Sequence, residues 1–141
     1  MAVSEQVIAE LESRVGVAGQ PVAYEIEKGM LKRYAAAVGD GNPLWQDEGY
    51  APPNFILTLG FDRVLKKYLE DPSITVLHGS TELDYHQTVK AGDVISVTAT
   101  VSKVRRRQSK TGTTLFATFD MQYKNQHRKP VAECRQLAII Y

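Results

Sequence analysis

Apolar positions in this chain follow a helical period in its first half and a strand period in its second. In residues 4–15, Leu11 and Val15 stand at i, i+4 with Val7 and Ile8 one turn earlier, the pattern of a short helix with one docked face. Val22, Tyr24 and Ile26 then alternate with Ala23 and Glu25, a short strand. From Lys28 to Val38 the stripe Leu31, Tyr34, Ala35, Val38 predicts a second helix, and Gly39 is its natural stop because glycine tolerates positive φ. Asp40 to Pro53, rich in Gly, Pro, Asn and Asp, reads as an ordered loop. Asn54 to Tyr68 reads as one further helix, N-capped by Asn54 after the pair Pro52-Pro53. Its first half, with Phe55, Ile56, Leu57, Leu59 and Phe61, has almost no polar face and must be buried. Arg63, Lys66 and Lys67 return its second half to water.

Beyond that point the period is two. Leu77, Gly79, Thr81, Leu83 and Tyr85 alternate with His78, Ser80, Glu82, Asp84 and His86. A turn at Lys90-Ala91-Gly92-Asp93 leads to Ile95, Val97, Ala99 and Val101, again alternating with polar residues. After a basic loop come Leu115, Ala117, Phe119, Met121 and Tyr123, a turn at Asn125 to Lys129, and a last strand from Val131 to Tyr141. Such alternation predicts an antiparallel sheet with one dry and one wet face. The fold class is therefore α+β: an antiparallel sheet wrapped around a central apolar helix, in a single domain over residues 1–141.

Composition narrows the function. A net charge of +1 over 141 residues argues against a nucleic-acid binder. No apolar run approaches the roughly 20 residues needed to span a bilayer, so no membrane partner is expected. The start, Met-Ala-Val-Ser-Glu-Gln, lacks the basic and apolar segments of a leader, and one cysteine, Cys134, cannot form an internal disulfide. A cytoplasmic location is the resulting expectation.

The chemistry concentrates in Tyr34 to Trp45, where Gly39-Asp40-Gly41-Asn42-Pro43-Leu44-Trp45 follows the second helix. This stretch resembles the signature of the MaoC-like (R)-specific enoyl-CoA hydratases and dehydratases, in which Gly-Asp-x-Asn-Pro-apolar is followed by a histidine. Ala51-Pro52-Pro53-Asn54-Phe55 resembles the start of the central hot-dog helix in the N-terminal halves of the double-hot-dog members. Leu77 to His86, with Ala91-Gly92-Asp93, resembles the strand and turn after it, a grouping that includes the HadA-type subunit of mycobacterial dehydratases. The resemblance implies a hot-dog fold and a fatty-acyl thioester substrate on CoA or an acyl-carrier protein. It implies no cofactor and no metal.

In the catalytic members the resemblance implies an Asp–His pair that adds or removes water, with backbone N–H groups at the central helix start holding the thioester oxygen. Here Asp40 is kept as the candidate catalytic residue, but the histidine position holds Trp45, whose indole is a donor only. The family's His-Gly pair is replaced at about Pro53-Asn54, and proline has no N–H to give. The expectation is a subunit of an enoyl-thioester hydratase or (3R)-hydroxyacyl-thioester dehydratase, the half that accommodates the acyl tail. It would pair as a homodimer or as a heterodimer with a catalytic hot-dog subunit. A self-sufficient hydratase using Asp40, or a hot-dog thioesterase or acyl-CoA-binding protein, are the alternatives. The thioesterase is disfavoured because Asp62 is the first acid of the central helix.

Candidate substrate contacts are Asn42, Trp45, Pro53, Asn54 and Phe55, with Arg105, Arg106 and Arg107 from the basic hairpin. Each has a plainer reading. Asp40 and Asn42 are residues that shape turns, Trp45 is a good packing residue, and the hairpin, with Lys103 and Lys110, can be a solvated loop. Its functional alternative is contact with coenzyme A phosphates or an acidic carrier protein. His78 and His86 fall on one strand face about 26 Å apart, too far for one metal ion, and read as polar strand residues, a substitute catalytic histidine at either position being the alternative. His127 reads as a solvated turn residue and Cys134 as a small strand residue.

Overall fold

The computed structural model describes residues 3–141. Met1 and Ala2, which enter the leader argument, lie outside the described residues, as does the side chain of Asp62. Four α-helices, α1 (Glu5–Ser13), α2 (Lys28–Val38), α3 (Pro43–Gln46) and α4 (Phe61–Leu69), accompany strands β1 (Val22–Glu25), β2 (Val76–Tyr85), β3 (Val94–Ser109), β4 (Gly112–Lys124) and β5 (Pro130–Ile140). The strands form one antiparallel sheet in the order β1-β3-β4-β5-β2. No helix among the described residues is long and apolar enough to cross a membrane.

The dry face covers two contiguous cores. Phe55, Ile56 and Leu59 pack on Ile95, Val97, Met121, Tyr123 and Cys134 at one end. At the other end Leu65 and Tyr68 of α4, with Ile8 and Leu11 of α1, pack on Val101, Leu115, Phe119 and Ile140. The central segment thus lies along the sheet, the hot-dog arrangement expected above.

That segment is not one helix, contrary to the expectation for Asn54 to Tyr68. A 3-10 helix, Pro53–Thr58, ends at Leu59 in extended conformation, and α4 begins after Gly60 at φ 86. A Cβ at Gly60 would lie 2.8 Å from Val97 Cγ1 and 3.3 Å from Met121 Cε. The backbone touches the sheet there, and only glycine permits both the approach and the left-handed turn. Asn54 consequently sits inside the 3-10 helix and caps nothing; Pro52 holds the cap position.

Four other expectations shift. The first helix stops at Ser13, and Val15 is 40% exposed, paired to Val101 by an isolated parallel bridge. Leu31 and Ala35 of the α2 stripe are buried, but Val38, in the last turn, is 56% exposed. A bulge at Gly79 reverses the phase of β2, so that His78 pairs with inward Ala138 while Ser80 pairs with outward Leu137. His78 and His86 therefore do not share a strand face; His86 lies past the strand end. Lastly, the basic loop is strand: β3 and β4 continue as a paired arm to Ser109 and Gly112, leaving Lys110-Thr111 as the turn.

Candidate functional site

Helix α2 delivers Asp40 to a fixed place. Gly39 takes φ 72, and the Asp40 N–H donates to the Ala35 carbonyl at 2.8 Å. Each carboxylate oxygen of Asp40 then receives a local donor. The Asn42 N–H donates to Oδ1 at 3.0 Å, and Trp45 Nε1–H donates to Oδ2 at 2.8 Å. Asn42 Oδ1 accepts from the Leu44 N–H at 3.0 Å and so caps α3, with Pro43 at its first position. The motif is brought together as its spacing suggests, and the indole, a donor only, stands at the position where the resemblance expects a histidine. Asn42 works through a turn and a cap.

Trp45 also forms one wall of a cavity of about 320 Å³ lined by Leu44, Trp45, Tyr50, Ala51, Pro53, Tyr85 and Thr88. The 40–53 loop closes one side; the 85–90 loop closes the other, held by the Tyr50–Lys90 bridge and the Ala51 N–H donating to the Val89 carbonyl at 2.8 Å. Among these lining residues there is no histidine or carboxylate. Tyr85 supplies a buried polar group, and burial pushes its phenol above the ordinary range, against a pull from the Val89 backbone. Such a cavity is suited to an apolar ligand fixed by few polar contacts. Tyr50, Tyr85 and Thr88 were not singled out by sequence reasoning; the one available signal was Tyr85's place on the strand resembling the family.

The other predicted contacts separate. Pro53 lines the cavity, while Asn54 is exposed outside it. Phe55 is 3% exposed and packs edge-on against Tyr34 at 5.5 Å, and its N–H is already given to the Pro52 carbonyl at 2.9 Å. With proline at 53 and that amide taken, this helix start offers little to a thioester oxygen.

Arg105, Arg106 and Arg107 lie at the opposite end of the sheet. Arg105 pairs with Phe116, and the cavity end is marked by Tyr123, paired through Ala132 to Tyr85. Seven residues of β4 separate the two, roughly 24 Å. Arg106 faces inward and is held by Glu12 (2.7 and 2.8 Å) and Glu5 (3.2 Å) of α1. Its hydrogen bond lowers the Glu12 carboxyl below the usual range. Arg106 is thus a helix clamp, while Arg105 and Arg107 project to the outer face. His78 Nε2 contacts Thr81 Oγ1 at 2.6 Å, also at the far end of β2. Cys134 is buried, and burial raises its thiol pKa, as suits a packing residue.

Substituting Asp40→Asn tests the clamp. One acceptor becomes an NH2 group facing either the indole N–H or the Asn42 N–H, and one hydrogen bond is lost. The expected cost is about 1–2 kcal/mol of unfolding free energy, read from the urea midpoint. Trp45→Phe should cost a comparable amount.

A hot-dog with a remnant Asp motif beside an apolar cavity defines a class, the hydratase and dehydratase hot-dogs, and comparisons place the chain within it. Residues 13–134 match the model of the FAS1-like dehydratase domain region, and the chain belongs to that family. A UPF0336 protein of Streptomyces coelicolor is 31% identical over 67% of this chain and 73% of its own length. One of Streptomyces avermitilis is 31% identical over 58% of this chain, a match spanning 64% of the relative. Among solved structures, the fold is shared with the HadBC (3R)-hydroxyacyl-ACP dehydratase complex of Mycobacterium tuberculosis (TM-score 0.72, 17% identity, 89% of this chain and 96% of that one). It is shared too with the ChsH1–ChsH2 complex of the same organism (0.68, 19%, 96% and 89%). A third likeness is to the R-hydratase PhaJ1 of Pseudomonas aeruginosa (0.68, 19%, 88% and 79%).

Proposed function

We propose that this chain is the acyl-accommodating half of an enoyl-thioester hydratase or (3R)-hydroxyacyl-thioester dehydratase, and that a second hot-dog subunit with an intact Asp–His pair carries the chemistry. The observation that carries the reading is the 2.8 Å hydrogen bond from Trp45 Nε1 to Asp40 Oδ2. It turns the acid of the motif into a structural acceptor and leaves no base beside it. The cavity walled by Trp45, Tyr50, Pro53 and Tyr85 then serves to hold the apolar tail of an acyl thioester. Two of the similar structures are of complexes whose names pair two components, ChsH1 with ChsH2 and HadB with HadC, which is consistent with a divided enzyme. Among the described residues that line the cavity there is no carboxylate to serve a thioesterase.

The test is hydration of short and long trans-2-enoyl-CoA by the purified chain, by its Asp40→Asn variant, and by the chain co-expressed with a hot-dog subunit carrying the intact motif. The expected result is no turnover by the chain alone, binding of acyl-CoA, and turnover by the mixed complex that extends to longer acyl chains. Turnover by the chain alone that Asp40→Asn abolishes would overturn the reading.

A further inference from the structure

The outer face of the sheet is not the polar surface that alternation predicts. In a sheet with one wet face, outward positions are polar. In β5 the alternation holds through Glu133 and Arg135 and then stops: Leu137 and Ile139 point outward between inward Gln136, Ala138 and Ile140. The unbroken apolar run Leu137-Ala138-Ile139-Ile140 is the signature of a strand covered on both sides. Its neighbours agree. Leu77 of β2, Ile139 of β5, Phe116 of β4 and Arg105 of β3 form one cross-strand row, with Leu77 46% exposed and Arg105 lying 5.8 Å from the centre of the Phe116 ring. Helix α1 and the central segment both pack on the inward residues, so no described element of this chain covers the row.

Charge on this face is divided. Lys103, Arg105 and Arg107 point outward at the arm end, and among the described residues none has a carboxylate within ion-pair distance. At the other end Glu82, Asp84, Asp120 and Glu133 gather around Arg135, which pairs with Asp120 at 2.8 Å, while Lys124 lies one row further on. Each end is concave: a hollow of about 300 Å³ is lined by the acids, and one of about 330 Å³ by the arginines and Phe116.

We infer that this face docks a second copy of this chain, back to back. The two copies are related by a two-fold axis in the interface plane, perpendicular to the line joining the charge clusters. That operation lays the basic end of each copy on the acidic end of the other, and the apolar positions between them meet. Such an isologous contact needs one self-complementary patch. From Thr114 to Gln122 along β4 the patch is roughly 27 Å long, and four strands make it about 19 Å wide, on the order of 500 Å² per copy. This lies near the lower limit for specific association, so the dimer should be reversible and salt-sensitive. It is a contact separate from pairing at the free edge of β2, from which Arg105 stands three strands away.

Sedimentation velocity at low and high salt tests it, with two charge-reversed variants. Arg105→Glu/Arg107→Glu makes both ends acidic, and Glu82→Lys/Glu133→Lys makes the acidic end basic. The wild-type chain should associate through this contact, about tenfold more weakly at high salt, and each variant should lose it. Mixing the two variants should restore association, because every contact is then acid on base. Restoration also shows that both variants fold. If the variants associate like wild type, or if each loses association and mixing does not restore it, the inference fails. A wild-type chain without a salt-sensitive association also overturns it; binding of a foreign acidic protein by the arm alone would be such a case.

Discussion

Trp45→His alone leaves the isolated chain nearly inert toward trans-2-enoyl-CoA, whereas Trp45→His combined with Pro53→His and Asn54→Gly raises turnover over that single variant by at least about 10²-fold. An imidazole at position 45 can donate one N–H to Asp40 Oδ2, as the indole does at 2.8 Å, and keep its other nitrogen free as a base. A positioned general base is worth about 10²–10⁴ in rate. The single change leaves the second defect in place, since Pro53 lacks an N–H and the Phe55 amide is engaged by Pro52. Oxyanion donors are worth about 10²–10³ each, so the base has little to act on until the helix start is rebuilt. Initial rates of loss of the enoyl-thioester absorbance, with circular dichroism as the folding control, decide the matter. A single variant as fast as the triple one would mean that Pro53 is no obstacle. A folded but inert triple variant would mean that the cavity itself, and not those side chains, limits turnover by this chain.

Phe119→Ala should cost about 3–5 kcal/mol of unfolding free energy. Phe119 is fully buried in β4, and its ring meets Phe61 edge-on at 5.9 Å and 89°. It sits where the sheet, α4 and α1 converge, among Leu65, Tyr68, Leu115 and Ile8. Removing the ring leaves a cavity bounded by three elements, each held by its own neighbours, so collapse cannot refill it. Small domains have about 5–15 kcal/mol in total, so the loss is a large share of stability. Urea unfolding followed by Trp45 fluorescence measures it: the midpoint should fall while the slope is kept. A change under about 1 kcal/mol would show that the helices re-seat on the sheet.

Helix α2 was legible to the residue, from its stripe and from Gly39, because both its start and its stop are local matters of periodicity and positive φ. Most of the strands were legible for the same reason, as period two needs no knowledge of partners, but the arm of β3 beyond Ser102, where basic residues hide the period, read as a loop. The Asp40–Trp45 relation was half legible. The sequence marks a donor-only side chain where the resemblance expects a histidine, and five residues of spacing bring the two groups together through a turn that Asn42 and Pro43 enforce.

Other features depended on neighbours distant in sequence. The break at Gly60 follows from Val97 and Met121, which lie below it only once the sheet has formed. The bulge at Gly79 changes the face of His78 because one residue stands unpaired opposite β5, and Leu137 lies so close, its Cδ2 3.0 Å from where a Cβ would stand, that a side chain there would be crowded. Arg105, Arg106 and Arg107 read as one basic cluster along the chain. Pairing splits them, with Arg106 turned in to Glu12 and its two neighbours turned out. The cavity joins Trp45 to Tyr85 across forty residues. Local sequence, then, determined most of the elements and set the residue types at Trp45 and Pro53, an indole and an imide nitrogen without N–H, since those depend on periodicity, residue type and short spacing. The tertiary structure alone decided which face each side chain serves and which residues share a cavity, because both are set by contacts between segments far apart in the chain.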